Sequence, residues 1–231
     1  MYIPGITDLY RLFYPNQCAL CHETLVGGES AICLDCLYHI PRTRFWFDAD
    51  NVVAQIFWGR VNVENACAYF YFARGSKYRK VLHLLKYGGN KDVGIVLGQQ
   101  FGLELKHSTL YTDIDYIVPV PLHPKRLKKR GYNQAEMIAI GLSQSLGAPV
   151  SADVLIRNKY TETQTKKTRA ERVNNVSSAF MLTNPETFRG KHLLLVDDVV
   201  TTGATLEACA AEMLTAPDAK VSIVTLAYAS S

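Results

Sequence analysis

The stretch that decides the fold is Leu193-Leu-Leu-Val-Asp197-Asp198-Val-Val-Thr201-Thr202-Gly203-Ala204-Thr205. Its apolar start, residues 193–196, is typical of a strand buried on both faces, as strands of parallel sheets are. We therefore expect the two carboxylates that follow at the carboxyl end of the strand, where open α/β sheets bind ligands. A small hydroxyl-and-glycine loop then opens a segment with a helical pattern, residues 203–214. The stretch predicts a strand, a ligand-binding turn and a helix.

The acidic pair, Asp197 and Asp198, and the threonine loop, residues 201–205, have complementary hydrogen-bonding capacities. Two adjacent carboxylates can accept hydrogen bonds from vicinal hydroxyls. The loop offers backbone N–H groups, three threonine hydroxyls and the positive end of a helix dipole, which together suit a phosphate. Gly203 permits close approach of the backbone. A purely structural strand–turn–helix unit is the alternative, and it would leave two carboxylates desolvated without a ligand.

Outward from this stretch, strand-like runs alternate with helical patterns. The runs 67–73, 116–121, 192–196 and 220–227 read as strands, and the segments 76–87, 134–146 and 203–214 read as helices. This alternation predicts one doubly wound α/β domain with a parallel sheet over residues 65–231. Asn133 and Glu136 suggest a capping box for the helix that ends near Gly147. Met137, Ile138 and Leu142 are expected to face the sheet.

Four of the six cysteines form two Cys-x-x-Cys pairs around a Gly27-Gly28 turn. Two such pairs can complete a tetrahedral sulfur shell, which structural Zn²⁺ prefers. Disulfides or redox-active pairs are the alternative, but we see neither a secretion signal nor a thioredoxin-like βαβ setting. The predicted zinc ligands are Cys18, Cys21, Cys33 and Cys36.

The other cysteines and the two histidines beside the four-cysteine motif are interpreted as residues without a metal-binding or catalytic role. His22 and His39 flank the four cysteines, whose two complete pairs leave no vacancy in a four-coordinate site. Cys67 and Cys209 are isolated, and free cysteines in apolar runs usually behave as small buried hydrophobes. No cysteine is predicted to be a nucleophile.

The 231 residues, 48% of them hydrophobic, suffice for one α/β domain with a small appendage. We assign residues 1–41 to the cysteine module and 42–64 to an aromatic connecting segment packed on the main domain. Because little chain surrounds the cysteines, metal binding would supply much of the folding free energy of the module. We see no signal peptide and no apolar run long enough to span a membrane, so a cytoplasmic protein is expected.

The net charge of +4 conceals an uneven distribution. Residues 121–134 carry five cations and no acid, and residues 157–173 carry a net +4, which leaves the rest of the chain at −5. A solvated face is the ordinary interpretation of such runs. Their proximity to a predicted phosphate site instead suggests an anionic ligand.

The acidic pair followed by Thr-Thr-Gly-x-Thr resembles the phosphoribosyl-pyrophosphate (PRPP) signature of type I phosphoribosyltransferases. The resemblance implies that Asp197 and Asp198 hold the ribose 2- and 3-hydroxyls. It also implies that the threonine loop, including Ala204, holds the 5-phosphate. Mg²⁺, which would bridge pyrophosphate and the ribose hydroxyls, is implied in the same way.

Further motifs narrow the resemblance to the ComF family, competence-associated phosphoribosyltransferase-like proteins with an N-terminal four-cysteine module. They are Lys86-Tyr87-Gly88, the basic stretch ending in Arg130-Gly-Tyr-Asn-Gln134, the segment Thr161-x-x-Gln164, and Arg172-x-x-Asn175 ahead of Phe180. The resemblance covers nearly the whole chain. It implies that pyrophosphate and mobile-loop contacts come from Lys125, Arg126, Arg130, Gln164, Arg169 and Arg172. Lys166 and Lys167 make the mobile segment more polar than the family pattern.

The expected function is phosphoribosyl transfer in natural competence, with Asp197, Asp198, Arg126 and Arg130 as the catalytic residues and no acceptor identifiable from the sequence. The alternative is a non-catalytic module that binds single-stranded DNA through the basic stretches, with bases stacked on Tyr132 and Tyr160. A competence helicase or a recombination mediator is a possible protein partner by family analogy. A PRPP-sensing regulator is a third interpretation, and no helix-turn-helix pattern supports it.

Overall fold

The computed structural model describes residues 15–72, 78–87, 89–157 and 179–229. Several predicted features lie outside these residues. They are the first fourteen residues of the cysteine module, Gly88, Tyr160, Thr161, Gln164, Lys166, Lys167, Arg169, Arg172 and Asn175.

A parallel sheet of four strands forms the centre of the described part of the chain. Its strands are β1 (Ala66–Tyr71), β2 (Tyr116–Pro119), β5 (His192–Val200) and β6 (Lys220–Tyr228), in the spatial order β1-β6-β5-β2. A separate antiparallel pair is formed by β3 (Leu155–Arg157) and β4 (Phe180–Leu182). β5 therefore lies between β2 and β6, inside the sheet.

Seven α-helices occur in the described residues. They are α1 (Leu34–Tyr38), α2 (Val52–Gln55), α3 (Arg79–Tyr87), α4 (Lys91–Leu105), α5 (Pro124–Arg130), α6 (Gln134–Leu146) and α7 (Ala204–Met213). Short 3-10 turns occur at Phe45–Phe47 and Pro185–Phe188. None of the helices in the described residues is both long enough and apolar enough to cross a bilayer.

The apolar run of β5 is buried because helices or chain segments cover both faces of the sheet. Leu194 and Val196 join the cluster that includes α3, α4 and α6, whereas Leu193 and Leu195 join the cluster of α7 and the connecting segment. Helices α4 and α6 pack very closely, since a Cβ built on Gly98 would lie 2.3 Å from the Ile138 carbonyl oxygen. The predicted α/β fold is confirmed.

The predicted start, end and buried residues of α6 agree with the structure. α6 spans the predicted residues, and Gly147 ends the helix with φ +83°. Asn133 caps the helix by accepting from the Ala135 N–H, so the described residues show the cap but not the predicted capping box with Glu136. Met137, Ile138 and Leu142 are buried. Glycine suits that end because a left-handed conformation strains other residues.

The predicted end of one strand is wrong. The strand predicted to end at Val196 continues to Val200, because residues 197–200 keep their register with β6. The basic stretch contains helix α5, which was not among the predicted helices. This helix has Pro124 at its start, the His123 side chain as its cap and Gly131 at its end with φ +78°.

The connecting segment, residues 42–64, lies against the sheet along its β1 edge. Arg42 forms an antiparallel bridge with Phe70, and Trp46 and Phe57 are fully buried. The Asn51 side chain donates to three carbonyl groups, including that of Ala66, and accepts from the first N–H groups of α2. These contacts fix the path of the segment towards the threonine loop.

Candidate functional site

Asp197 and Asp198 lie near the carboxyl end of β5, three and two residues before its last residue. Asp197 is in register with Thr225 of β6. Asp198 is buried, with 8% of its surface exposed, and Asp197 is half-buried. The pair therefore lies at the expected edge of the sheet, although within the strand.

Asp198 has a cationic partner that the sequence did not indicate. The Lys86 Nζ lies 3.0 Å from Asp198 Oδ2, and the Asp198 N–H donates to Asp197 Oδ1 at 2.8 Å. Lys86 comes from the last turn of α3. The ammonium group offsets part of the desolvation of Asp198, so this carboxylate is not left without a partner in the absence of a ligand.

The environment of Asp197 disfavours its charged form. Burial and the adjacent Asp198 carboxylate raise the pKa of Asp197 to about 7, although the Asp198 N–H and Lys86 act in the opposite direction. Hydrogen-bond donors that reach the Asp197 carboxylate would favour its ionised form. Vicinal hydroxyls of a sugar are such donors.

The threonine loop forms a small open cradle. Its cavity of about 90 Å³ is lined by Asp197 and residues 199–206. Thr201, Thr202 and Thr205 are exposed, and the loop leads directly into α7. The cavity is of the size of a phosphate group and adjoins the acidic pair, as a ribose 5-phosphate requires.

Gly203 is needed for a reason beyond ligand approach. Its φ is +74°, and a Cβ at this position would lie 2.6 Å from Ile56 Cγ2 and 3.1 Å from the Phe57 ring. The connecting segment therefore occupies the space that any other side chain would need. Packing, as well as backbone conformation, requires glycine here.

The basic helix α5 exposes most of the cations predicted for pyrophosphate. Lys125 and Arg126 are exposed, and α5 buries none of its residues. The half-buried Arg130 donates to Gln134 Oε1 at 2.6 Å and lies over the Tyr87 ring at 5.7 Å. Tyr87 follows Lys86, so the end of α3 contacts both Asp198 and α5.

The prediction that bases stack on Tyr132 is wrong. Its side chain is 6% exposed, and its hydroxyl donates to the Leu85 carbonyl oxygen at 2.6 Å. Lys91 lies over its ring at 5.7 Å. Tyr132 instead anchors the chain after α5 to α3.

The four cysteine sulfurs converge at one point. The ligand atoms of Cys18, Cys21, Cys33 and Cys36 all lie within 4.8 Å of one another. The Leu20 and Cys33 N–H groups donate to Cys18 Sγ, each at 3.4 Å. All six cysteines are free thiols, so the sulfurs are available as four ligands rather than as disulfides.

Burial and neighbouring groups shift the pKa values of three of the four thiols. Burial raises the pKa of the Cys18 thiol, but N–H groups of Cys21, Cys33 and Leu20 outweigh it and bring the pKa to about 6. Burial raises the pKa of Cys33 and Cys36, and the neighbouring sulfurs add to the effect in Cys36. A divalent metal would displace these protons. Four convergent thiols fit a structural tetrahedral ion.

Comparison with known proteins adds independent information. Residues 131–231 match the family model of the phosphoribosyl transferase domain. The chain is 33% identical over 137 residues to the DNA utilization protein YhgH of Escherichia coli K12, covering 58% of this chain and 60% of that protein. It is 41% identical over 91 residues to competence protein F of Haemophilus influenzae, covering 39% and 40%.

A third relative matches over more of the chain. Competence protein ComFC of Bacillus subtilis is 29% identical over 194 residues, covering 84% of this chain and 69% of that protein. These matches agree with the ComF resemblance of the sequence. A solved adenine phosphoribosyltransferase of Leishmania tarentolae superposes with a TM-score of 0.38 at 10% identity, covering 78% of this chain and 89% of that one. The match to YhgH spans about 60% of the length of that relative.

The ComF resemblance included Lys86 in a motif but assigned it no role. It did not indicate Arg60 as a site residue. Lys86 stood out only as part of the Lys-Tyr-Gly motif, and its ion pair with Asp198 depends on how α3 packs against β5. Arg60 lies in the aromatic connecting segment, where no motif marks it, and it contacts the threonine loop. Neither contact has a signal in local sequence.

The raised pKa of Asp197 predicts a pH-dependent effect of Asp197→Asn on stability. With the folded-state pKa near 7 and the unfolded value near 4, the folded state holds a proton that the unfolded state lacks. Stability is therefore lost as pH rises from about 4 to about 7. At pH 8 we expect the ligand-free variant to be more stable than wild type by about 1–3 kcal/mol, or roughly 3–8 °C in melting temperature.

Thermal unfolding of both proteins between pH 4 and pH 8 measures this effect. Near pH 4 the unfolded state also begins to hold a proton on Asp197, so the two proteins should melt at similar temperatures. Asp198→Asn is the matched control, because it removes the partner of Lys86 and should give no stabilisation. Equal pH dependence of wild type and Asp197→Asn would contradict the prediction.

Proposed function

We propose that the chain is a PRPP-binding phosphoribosyltransferase of the ComF family that acts in natural competence and DNA uptake. The observation that carries the proposal is the adjacency of the acidic pair to the threonine-loop cavity at the carboxyl edge of a parallel sheet. Carboxylates for vicinal hydroxyls and an N–H cradle for a phosphate occur together there. The phosphoribosyl transferase match over residues 131–231 includes both.

In this proposal each part of PRPP has its own group of residues. Asp197 and Asp198 accept hydrogen bonds from the ribose 2- and 3-hydroxyls, and residues 201–205 hold the 5-phosphate. Arg126 and Arg130 neutralise pyrophosphate as the bond from its oxygen to the anomeric carbon breaks. The electron pair leaves with pyrophosphate, and a nucleophile on the acceptor forms the new bond to that carbon. The protein supplies position and electrostatics without a covalent intermediate.

In this proposal Lys86 supports the acidic pair through its ion pair with Asp198. It holds Asp198 in place before the sugar arrives, and it reduces the repulsion between the two carboxylates. Tyr87 of α3 also contacts Arg130. Helix α3 therefore contacts both the residue proposed to bind pyrophosphate and the residue proposed to bind the ribose. Gln164, Arg169 and Arg172 remain predicted contacts from the segment 158–178.

Two metal ions complete the proposal. Mg²⁺ bound with PRPP would neutralise charge on pyrophosphate, and the oxygen-rich acidic pair and sugar hydroxyls suit such a hard cation. Zn²⁺ would be held by Cys18, Cys21, Cys33 and Cys36 as a structural ion. Six free thiols favour a reducing compartment, in keeping with a cytoplasmic location.

Isothermal titration of PRPP with Mg²⁺ into zinc-replete protein tests the proposal. We expect saturable binding at one site per chain, with loss of affinity when Mg²⁺ is omitted. A single-stranded oligonucleotide is titrated in parallel at several salt concentrations. Binding of the oligonucleotide without any binding of PRPP would overturn the transferase proposal.

The exposed basic helix favours single-stranded DNA binding as a second candidate function. Within the part of the chain that the structure describes, Arg126, Lys128 and Lys129 form no ion pair. Free cations on one exposed helix suit a polyanion. The names of the relatives, a DNA utilization protein and competence proteins, agree with a role near DNA. Partners such as a competence helicase or a recombination mediator belong to the same proposal.

A further inference from the structure

The connecting segment contacts the threonine loop through one side chain. Arg60 Nη1 donates to the Thr202 carbonyl oxygen at 3.0 Å and to the Ile56 carbonyl oxygen at 3.1 Å. Its Nη2 forms an ion pair with Glu207 Oε2 in the first turn of α7. One guanidinium group therefore ties the end of α2, the loop and the following helix together.

The hydrogen bond to Thr202 has a directional consequence for the loop. A trans peptide directs its C=O and N–H groups to opposite sides, and the structure has no cis peptide among its described residues. When the Thr202 carbonyl points to Arg60, the Gly203 N–H points away from the connecting segment. A fixed N–H direction lowers the ordering cost of binding an anion.

The ion pair with Glu207 has an electrostatic consequence. A carboxylate in the first turn of α7 stabilises the helix, but it would repel a phosphate bound at the same end. Arg60 neutralises this carboxylate, and both side chains are only about one third exposed, at 37% and 32%. The loop can then present a positive helix end to an anion.

Apolar packing also holds the connecting segment against the threonine loop. Gly203 has Ile56 and Phe57 against the position where a side chain would begin. Arg60 follows Phe57 by three residues and reaches the loop over the same surface, since its Nη1 also bonds to the Ile56 carbonyl oxygen. The connecting segment thus forms one wall of the loop, both by apolar contact and by hydrogen bonds.

We infer that Arg60 is a positioning residue for the 5-phosphate cradle, and that the connecting segment is part of the sugar-phosphate site. The inference rests on the proposed function, because it assigns the threonine loop to the 5-phosphate. Arg60 acts through Thr202 and Glu207 and touches no reacting atom.

Titration of two separate probes tests this role. Ribose 5-phosphate reports on the acidic pair and the threonine loop, and magnesium pyrophosphate reports on the basic helix. Arg60→Ala should weaken binding of ribose 5-phosphate about ten-fold and leave binding of pyrophosphate unchanged. Arg60→Lys should recover part of the loss, since a lysine can replace the charge but not both hydrogen bonds.

Arg189→Ala is the matched control, because Arg189 forms a similar exposed ion pair with Glu186 away from the site. It should change neither affinity. Unchanged affinity of Arg60→Ala for ribose 5-phosphate would overturn the inference. An equal loss of affinity for ribose 5-phosphate and for pyrophosphate would also overturn the inference, because it would indicate general damage to the fold.

Amide hydrogen exchange of the ligand-free protein gives a readout independent of any ligand. Residues 202–206 should exchange about ten-fold faster in Arg60→Ala than in wild type, with α6 unchanged. If wild type binds no ribose 5-phosphate, the proposed function fails, and this exchange measurement alone decides whether Arg60 positions the loop. Unchanged exchange in the loop would then overturn the inference as well.

Discussion

Replacing both carboxylates of the acidic pair by amides, Asp197→Asn with Asp198→Asn, is expected to weaken PRPP binding at least about 100-fold. A hydrogen bond to a charged group contributes about 1.5–3 kcal/mol, and the double variant loses the charged acceptors of two hydroxyls. Oligonucleotide affinity should stay the same or rise, because the carboxylates repel DNA phosphates and Lys86 loses its partner. Isothermal titration of both ligands measures the two effects together.

The control for this experiment removes two carboxylates elsewhere. Asp50→Asn with Asp153→Asn makes the same change in net charge at exposed positions and should leave PRPP affinity unaltered. Retention of PRPP binding by the acidic-pair variant would place the ligand somewhere other than β5. Loss of both ligands would point to unfolding, which thermal unfolding of the double variant would reveal.

Removal of the metal from the cysteine module is expected to cost several kcal/mol of stability. Cys18, Leu20, Ile32 and Leu37 share a core cluster with Trp46 and Tyr78 of the rest of the chain, so the module cannot loosen alone. Cys36→Ser should abolish metal binding and lower the melting temperature by more than about 10 °C. Metal analysis and thermal unfolding, with and without a chelator, measure this result.

Cys209→Ala is the matched control, because Cys209 is buried in α7 outside the cluster. It should keep one zinc per chain and lose only the small free energy of a minor cavity. Wild type should be colourless if the ion is Zn²⁺, whereas a sulfur-ligated iron centre would absorb visible light. A metal-free wild type whose thiols are oxidised to disulfides would refute the zinc assignment.

The cysteine module and the acidic pair belong to one connected structure. Tyr78 donates to the Cys36 carbonyl oxygen at 3.0 Å and precedes α3, whose last turn carries Lys86. The connecting segment leads from the module to Arg60 and the threonine loop. Loss of the metal is therefore expected to reduce PRPP affinity as well as stability, whereas loss of the acidic pair should leave the metal bound.

The sequence by itself determined the features that depend on neighbouring residues. Alternating hydrophobic periods predicted the α/β sheet, a capping residue and a glycine marked α6, and Cys-x-x-Cys spacing marked the sulfur cluster. The acidic pair and the threonine loop were recognisable for the same reason, because their ligand-binding geometry is built from consecutive residues.

Only the tertiary structure decided the contacts between distant segments. β5 extends past Asp198 because β6 continues to pair with it, and Tyr132 is buried because Leu85 lies beside it. Lys86 meets Asp198, and Arg60 meets Thr202, only after helices and connecting segment have packed on the sheet. Such contacts depend on the packing of the whole chain, which no local pattern of residues encodes.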